Sequence, residues 1–345
     1  MSEPARGPER FIQVGTRRIG EGAPVFVIAE AGVNHNGDLG LAMRLVEAAV
    51  EAGADAVKFQ TFKAETLVSR RAVEPKYFDL IRQLEMPLEQ QRRLLDYCRE
   101  RRILGFSTPC DEASADFLES LDVPLFKVAS MDLNNLPFLR HLARKSRPII
   151  LSTGMGTLDE VRDAVAAIRA EGDVPLALLH CVSAYPTPVE DANLRAMDTL
   201  RAIFEGPVGF SDHTLGMSVA LAAVARGATV IEKHFTLDKS LPGPDHQASL
   251  DPPEFGAMVA AIRAIEQALG DGGKRPMPSE GGFLKLMRKS LVAARRIRAG
   301  ETITPDALAA KRPGTGISPA EIHLVVGRVA KRDFEPDELI DRGAI

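Results

Sequence analysis

Long apolar runs are missing from this sequence, and its 345 residues include only three cysteines. No stretch reaches the roughly 18 consecutive apolar residues of a membrane-spanning helix. The first ten residues are polar and charged, which argues against a signal peptide. Cys98, Cys110 and Cys181 form no CxxC pair, so we expect small buried side chains and no disulfide framework. Together these absences predict a cytoplasmic protein.

A strong excess of one charge is missing as well. The formal net charge is -4, from 43 basic and 47 acidic residues that are interspersed along the chain. This balance provides neither a basic stripe for nucleic acid nor a basic cluster for a membrane surface. Since 45% of the residues are hydrophobic, the chain can bury a large core. The ligand must therefore be sought in a defined site of a globular protein.

Eight short apolar runs that end in small or polar residues occur in the first 240 positions. The runs are VFVIAEAG, DAVKFQT, ILGFSTP, LFKVAS, PIILSTG, LALLHCVS, VGFSDHT and TVIEKHFT. Between most of them lie amphipathic stretches of helical period, such as 39–52 and 159–170. Buried strands that alternate with helices predict a parallel sheet covered by helices. Eight such units favour a (β/α)8 TIM barrel over an open doubly wound sheet.

The remainder of the chain predicts a second, smaller unit. Residues 271–285 are rich in glycine and proline and are typical of a linker. Residues 286–345 carry short alternating stretches and turn sequences, which predict a small mixed-β domain. We therefore expect a barrel over 1–270, with an insertion at Thr66–Gln90 above its mouth.

Polar residues end nearly every predicted strand, at the barrel face where active sites lie. A single strand-end hydroxyl often caps the next helix and a single lysine often pairs with an acid, but their number favours a pocket. Two lysines and several hydroxyls would bind a small anion that carries a phosphate and a carboxylate. These residues are Lys58, Thr108, Lys127, Ser130, Ser152 and Ser211.

Two histidines and two acids add to this predicted site. His213 and His234 end adjacent strands, where two imidazoles can hold one divalent cation, although either histidine alone would more often be structural. We expect the neighbouring cations to lower the pKa of Glu30, so that its carboxylate orients or deprotonates a water, or serves as their counter-ion. Asp245 follows a Pro-Gly-Pro turn that aims a carboxylate at sugar hydroxyls or only stiffens the loop.

Several segments in this order resemble one enzyme family across almost the whole chain. They are IAEAGVNHNGDLGLA, AGADAVKFQTFKAETL, FSTP, FKVAS, PIILSTGM, LLHCVSAYPTP, GFSDHT, EKHFT and GPDH. They resemble N-acetylneuraminate (sialic acid) synthases and the related legionaminic and pseudaminic acid synthases, and residues 286–345 resemble their SAF (antifreeze-like) domain. The resemblance implies an enzyme that condenses phosphoenolpyruvate (PEP) with an N-acylated hexosamine. It also implies a divalent Mn2+ or Mg2+ ion and a homodimer in which each SAF domain covers the other subunit's barrel.

The resemblance also implies a role for each site residue. His213 and His234 correspond to metal ligands and Glu30 to the catalytic carboxylate, while the lysines and hydroxyls named above form the PEP shell. The residues that contact the sugar would be Gln60, Asp132, Tyr185, Asp245 and Arg312. Arg312 would reach the neighbouring subunit's site. Asp132 replaces a glutamate that the family often has, so this carboxylate is one methylene shorter.

The resemblance implies a reaction sequence, and alternatives to it remain open. The metal polarises the sugar aldehyde, C3 of PEP attacks it, and water adds at C2 before phosphate leaves by C–O cleavage. One alternative is a Schiff-base aldolase with Lys127 or Lys58 as nucleophile, which would need a lowered lysine pKa in an apolar pocket. Another is a sugar-binding protein without catalysis. Within the family, GPDHQASL favours an N-acetylmannosamine or 2,4-diacetamido-trideoxy-hexose acceptor over the pseudaminic branch.

Overall fold

The computed structural model describes residues 11–345. They form two compact units, and the boundary along the chain falls between Gly270 and Asp271. The first ten residues, for which no signal peptide is predicted, lie outside the described residues. Across residues 11–345, no helix combines the length and apolar character needed to cross a membrane.

Strands and helices alternate through most of the first unit. In residues 11–345 the strands are β1 Phe11–Val14, β2 Arg17–Gly20, β3 Phe26–Gly32, β4 Ala56–Thr61, β5 Leu104–Pro109, β6 Phe126–Val128, β7 Ile149–Ser152, β8 Leu176–Cys181, β9 Val208–Asp212, β10 Val230–His234, β11 Ser290–Ala293 and β12 Leu308–Lys311. The helices are α1 Leu39–Glu51, α2 Ala64–Leu67, α3 Pro75–Gln83, α4 Leu88–Glu100, α5 Glu112–Ser120, α6 Leu136–Arg144, α7 Leu158–Arg169, α8 Ala196–Ile203, α9 Ser218–Ala225, α10 Pro252–Leu269 and α11 Gly281–Met287.

Strands β3 to β10 form one parallel sheet with the neighbour order β5-β4-β3-β10-β9-β8-β7-β6. The first and last of the eight strands pair directly, with His234 opposite Glu30. The two ends of the order, β5 and β6, also lie side by side. The sheet is therefore a closed eight-stranded barrel, as the repeated strand–helix pattern predicts.

Alternation along the strands separates two apolar cores. Residues that point outward pack against the helices, and those that point inward form a smaller cluster with Phe26, Ile28 and Phe106. The antiparallel hairpin β1–β2 adds Ile12 and Ile19 to the inner cluster. Because these contacts involve the first residues of the barrel strands, the hairpin plugs the barrel at its N-terminal end.

The insertion between β4 and β5 contains α2 and α3. Its Leu84 packs with Val33, Phe62 and Cys110, which follow the ends of three neighbouring barrel strands. The insertion therefore rests on the loops of the C-terminal face, where the sequence predicts it.

The second unit has a core of its own, with Leu291, Ile303 and Phe334 among its buried residues. Strands β11 and β12 pair antiparallel, and isolated bridges such as Thr302 with Val329 supply further β structure. Helix α11 lies partly within the stretch interpreted as a linker.

Candidate active site

The barrel strands change from apolar to charged or polar within two residues on their inward face. Residues two apart point to the same side of a strand. The residue two positions after an inward-pointing apolar residue therefore also points inward. The pairs are Ile28 and Glu30, Ala56 and Lys58, Leu125 and Lys127, Ile150 and Ser152, and Val230 and Glu232. The polar layer consequently lies directly above the apolar one, toward the C-terminal ends of the strands.

Four charged side chains of alternating sign form the centre of this layer. Lys58 Nζ lies 2.9 Å from Glu30 Oε2 and 3.8 Å from Glu232 Oε2, and Lys127 Nζ lies 3.6 Å from Glu232 Oε1. The exposed fractions of Glu30, Lys58, Lys127 and Glu232 are only 2%, 4%, 1% and 5%. We call these four residues the charged quartet. Buried charges are costly unless paired, so each lysine is compensated by a carboxylate.

Hydroxyl groups surround the quartet. Lys58 donates to Thr108 Oγ1 over 2.9 Å, and Lys127 donates to Ser152 Oγ over 2.7 Å. Ser211 donates instead to Glu232 Oε1 over 2.9 Å. The structure thus brings these three predicted hydroxyls into one hydrogen-bonded cluster with the lysines, but Ser211 contacts an acid and supports the cluster through it.

Ser130 belongs to the rim of the same face. Its Oγ accepts a hydrogen bond from the backbone N–H of Gly154 over 2.9 Å. A Cβ atom at Gly154 would lie 2.4 Å from Ser183 Oγ and 2.7 Å from Ser130 Oγ, so only glycine fits between the two serines. The backbone after β7 can therefore approach the ends of β6 and β8.

The pKa values of the two acids differ in direction, and one expectation from the sequence is wrong. Burial raises the pKa of Glu30 to about 7, although Lys58 acts in the opposite sense. Neighbouring cations therefore do not keep the pKa of Glu30 low, because loss of solvent outweighs them. For Glu232 burial is also unfavourable, but Lys127 and Lys58 prevail and hold its pKa below the ordinary value.

The two predicted metal ligands lie together above the quartet. The ring centroids of His213 and His234 are 5.2 Å apart, and Tyr185 stacks 4.2 Å from His213. His213 Nδ1 lies 2.7 Å from the Val182 carbonyl oxygen, which can only accept, so Nδ1 carries a proton and Nε2 of the neutral ring has the free lone pair. His234 Nδ1 is buried without a hydrogen-bond partner and lies 3.7 Å from Asp245 Oδ2.

This donor set fits a cation with open coordination positions. Among residues 11–345, no group of three or more His, Cys, Asp or Glu side chains is arranged as a metal site. The histidine pair offers two nitrogen ligands, and the tautomer of His213 is fixed by its carbonyl partner as in many metal sites. Water or substrate oxygens would have to complete the shell.

The residues predicted to contact the sugar are spread over both units of the chain. Gln60 donates to Glu30 Oε1 over 3.3 Å, and Tyr185 is half exposed beside the histidines. Asp132 is buried in a short 3-10 turn after β6, where Asn135 donates to one of its oxygens and the other has no partner. Arg312 is exposed in the second unit, directly after β12.

Comparison with known proteins identifies the family to which this chain belongs. The family model described as NeuB family matches residues 45–274, and the SAF domain model matches 288–342. The chain belongs to the NeuB family. Its NeuB relatives include the N,N'-diacetyllegionaminic acid synthase of Legionella pneumophila, 46% identical over 91% of this chain and 92% of the relative. A pseudaminic acid synthase of Campylobacter jejuni is 36% identical over 90% and 94% of the two chains.

A solved structure extends the NeuB likeness to three dimensions. The N-acetylneuraminic acid (sialic acid) synthetase of Leptospira borgpetersenii superposes with a TM-score of 0.75 and 37% identity. The superposition covers 80% of this chain and 95% of that one. The relatives are synthases of sialic, legionaminic and pseudaminic acids, which supports nonulosonate synthase activity for this NeuB-family chain.

One central residue of this NeuB-family site was missed from the sequence. Glu232 contacts both lysines, yet only His234 is predicted from the sequence at the end of β10. Lys233 points to the other side of the strand and pairs with Asp212 over 2.8 Å, away from the barrel interior. Alternation from His234 identifies Glu232 as the inward neighbour, and a carboxylate inside a buried strand is itself a signal.

Proposed function

We propose that this chain condenses PEP with an N-acylated hexosamine and releases phosphate by C–O cleavage to form a sialic-acid-type nonulosonate. The observation that carries this proposal is the charged quartet beneath the histidine pair, in a barrel of the NeuB family. The quartet would bind an anion and the histidine pair a cation, both at the C-terminal end of the barrel strands. A reaction that joins an anionic enol to a carbonyl compound needs both.

The lower part of the pocket supports PEP as the anionic partner. Lys58 and Lys127 are fully buried ammonium groups, and Thr108 and Ser152 orient them. The phosphate and carboxylate of one small molecule would bring negative charge to the two lysines, in place of part of the charge that Glu30 and Glu232 provide. Positive groups fixed before binding stabilise charge without reorganisation in the reaction.

The histidine pair supports a divalent cation, which would supply Lewis-acid polarisation of the sugar aldehyde. Nε2 of His213 and a nitrogen of His234 would hold it. Two imidazoles suit a transition ion better than Mg2+, which prefers oxygen ligands, so Mn2+ is the favoured metal.

Glu30 is the residue proposed to handle protons. A pKa of about 7 lets its carboxylate accept a proton from the water that adds at C2 and return it later. Gln60 donates to this carboxylate and fixes its orientation.

The identities favour the acceptor of the legionaminic branch. The relative named for legionaminic acid is 46% identical, against 37% for the sialic acid synthetase and 36% for the pseudaminic acid synthase. We therefore propose a 2,4-diacetamido-trideoxy-hexose as the preferred acceptor, with N-acetylmannosamine second.

The test is phosphate release from PEP by the purified chain with a panel of N-acylated hexosamines. Mn2+, Mg2+ and excess EDTA are compared in parallel. PEP labelled with 18O at the bridging C2–O position should give labelled phosphate, because C–O cleavage transfers that oxygen. Glu30→Gln should lose most activity while retaining PEP binding. Absence of phosphate release with every acceptor and both metals would overturn the proposal.

One observation favours a second candidate, the Schiff-base aldolase. Burial lowers the pKa of Lys127, as a nucleophilic lysine requires. Its ammonium group nevertheless donates to Ser152 and the Val128 carbonyl, so its surroundings are polar. Borohydride trapping of a pyruvyl adduct on Lys127, with activity that survives EDTA, would establish the aldolase instead.

The family resemblance also supports a domain-swapped homodimer in which Arg312 completes the neighbouring subunit's site. Arg312→Ala should then weaken sugar use far more than PEP binding. A mixed dimer of this variant with Glu30→Ala should recover about one working site. No recovery in the mixed dimer would refute the exchange of domains.

A further inference from the structure

The loop after β10 leaves the barrel and returns to it at a single point. The backbone N–H of Leu250 donates to the His234 carbonyl over 2.9 Å, and Phe235 forms a bridge with Leu250. The excursion 236–249 therefore begins and ends beside His234. Asp245 lies on this excursion, with Oδ2 3.7 Å from His234 Nδ1.

The turn after β3 holds the base of this excursion. Asn34 is 1% exposed and its Nδ2 donates to the Phe235 carbonyl and to Ser249 Oγ, each over 3.0 Å. Ser249 Oγ in turn donates to the backbone carbonyl of Asp245 over 2.6 Å. A chain of two side chains thus joins the turn to the backbone of Asp245.

The same turn also holds the far part of the excursion. Asn36 has a φ of 49°, a left-handed conformation that asparagine adopts more readily than most residues. Its Nδ2 donates to the Pro242 carbonyl over 2.8 Å and lies 3.4 Å from His246 Nε2. Because Asn36 is the donor, His246 Nε2 must accept.

This contact defines the state of His246. With Nε2 as acceptor, the neutral ring carries its proton on Nδ1, which lies 2.6 Å from Thr236 Oγ1. Burial lowers the pKa of His246, in agreement with a neutral ring. A Cβ atom at Gly243, where φ is 148°, would lie 2.7 Å from His246 Cδ2, so glycine leaves room for the ring.

We propose that Asn34, Asn36 and His246 are positioning residues that hold Asp245 at the pocket mouth and thereby set the affinity for the sugar acceptor. None of the three is required to touch the acceptor. They act through the backbone of the excursion, and Asp245 makes the contact. This inference rests on the proposed function for its kinetic readout, but the hydrogen bonds themselves can be tested without it.

The first experiment separates acceptor use from PEP use. Asn36→Asp keeps the side-chain shape and the left-handed backbone but removes both donated hydrogen bonds, and Asn36→Gly frees the backbone without a side chain. Each variant should raise KM for the acceptor at least tenfold and change KM for PEP less than twofold. Asn193→Asp is the matched control, because Asn193 is an exposed residue with a φ of 40° outside this network. Equal changes in both KM values would overturn the proposal.

A double variant tests whether the network acts through Asp245. Asn36→Asp combined with Asp245→Asn should be no worse for the acceptor than Asp245→Asn alone, since the carboxylate to be positioned is already gone. Independent, multiplying losses would show that Asn36 acts elsewhere.

Amide hydrogen exchange distinguishes failure of the inference from failure of the proposed function. In the full-length chain without substrates, exchange in residues 240–248 should be at least tenfold faster in Asn34→Ala and in Asn36→Asp than in the unmodified protein. His246→Asn can retain the Nδ1 contact with Thr236 and should restore part of the protection lost in His246→Ala. Unchanged exchange in the Asn34 and Asn36 variants would refute the positioning role whatever acceptor the enzyme uses.

Discussion

The two halves of the barrel interior are built from the same strands and differ completely in chemistry. Ile28 and Ile150 belong to the apolar lower half, and Glu30 and Ser152, two residues further on, belong to the polar upper half. Burial of the large apolar side chains in the lower half contributes about 1.5–3 kcal/mol each. The charged quartet instead loses hydration, which its ion pairs and the hydrogen bonds of neighbouring polar groups must offset. Stability and chemistry are thus assigned to different depths of one barrel.

The largest expected effect is a loss of activity when charges are removed from the polar upper half of the barrel. Lys127→Met combined with Glu232→Gln removes one charge of each sign and leaves the Lys58–Glu30 pair, 2.9 Å apart. Phosphate release should fall by about 10³-fold or more, since losing one fixed stabilising group already costs about 10²–10³. The urea midpoint should stay equal or rise, because a buried ion pair is often no more stable than a neutral replacement.

The single variant Lys127→Met is the control for that experiment. It leaves Glu232 with fewer cations, so it should lower the free energy of unfolding by about 3–5 kcal/mol. If the double variant is as unstable as the single one, the quartet contributes to stability and the division between the two halves fails.

A second variant truncates a side chain in the apolar lower half. Phe106 is fully buried in the inner apolar cluster, and Phe106→Ala should lower the free energy of unfolding by about 3–5 kcal/mol in urea titrations. Below its unfolding temperature the variant should keep KM for PEP within about twofold. A large rise in KM would mean that the lower half shapes the pocket as well as supporting it.

The pKa of Glu30 predicts how the activity and the stability of the polar upper half depend on pH. Its carboxyl group is protonated below about pH 7 and ionised above it, so kcat/KM should rise with pH through 7 and then level off. This rising limb should disappear in Glu30→Gln. Because the pKa of Glu30 in the folded protein lies above the ordinary 4.5, the protein should lose stability as pH rises from 4.5 to about 7 and this carboxyl group ionises. Glu30→Gln removes the carboxyl group, so the variant should lose less stability over that range. A rate that falls through pH 7 would contradict the base role.

The smallest expected effect concerns Ser211. Because its hydroxyl donates to Glu232 and not to the anion pocket directly, Ser211→Ala should cost about tenfold or less in kcat/KM for PEP, roughly 1 kcal/mol. Ser152→Ala, which removes an acceptor from Lys127, is the comparison. A loss above 100-fold would place Ser211 in contact with PEP itself.

The barrel and the convergence of its polar strand ends follow from simple patterns in the sequence. Eight apolar runs with polar ends predict a barrel whose strand ends converge, and that convergence brings Lys58, Thr108 and Lys127 together without further information. Local pattern was sufficient because the barrel itself supplies the long-range geometry.

The errors arose where burial and side-chain direction matter more than residue type. Glu232 does not end its strand, and only the alternation that turns Lys233 outward shows that Glu232 points into the barrel. The neighbouring cations alone predict a lowered pKa for Glu30, whereas loss of solvent on burial raises it. The direction of Glu232 follows from strand alternation, whereas the pKa of Glu30 depends on how completely the layer is covered, which the sequence does not reveal directly.

The hairpin that plugs the barrel has a consequence for how the chain is made. Ile12, Val14 and Ile19 are synthesised before every barrel strand, yet their cluster includes Val230 of the last barrel strand. At about 5–20 residues per second, a ribosome needs on the order of 10–40 s to reach that strand. During this interval the apolar face of the hairpin has no barrel to enter. Completion of β10 therefore both closes the sheet and gives the N-terminal hairpin its binding site.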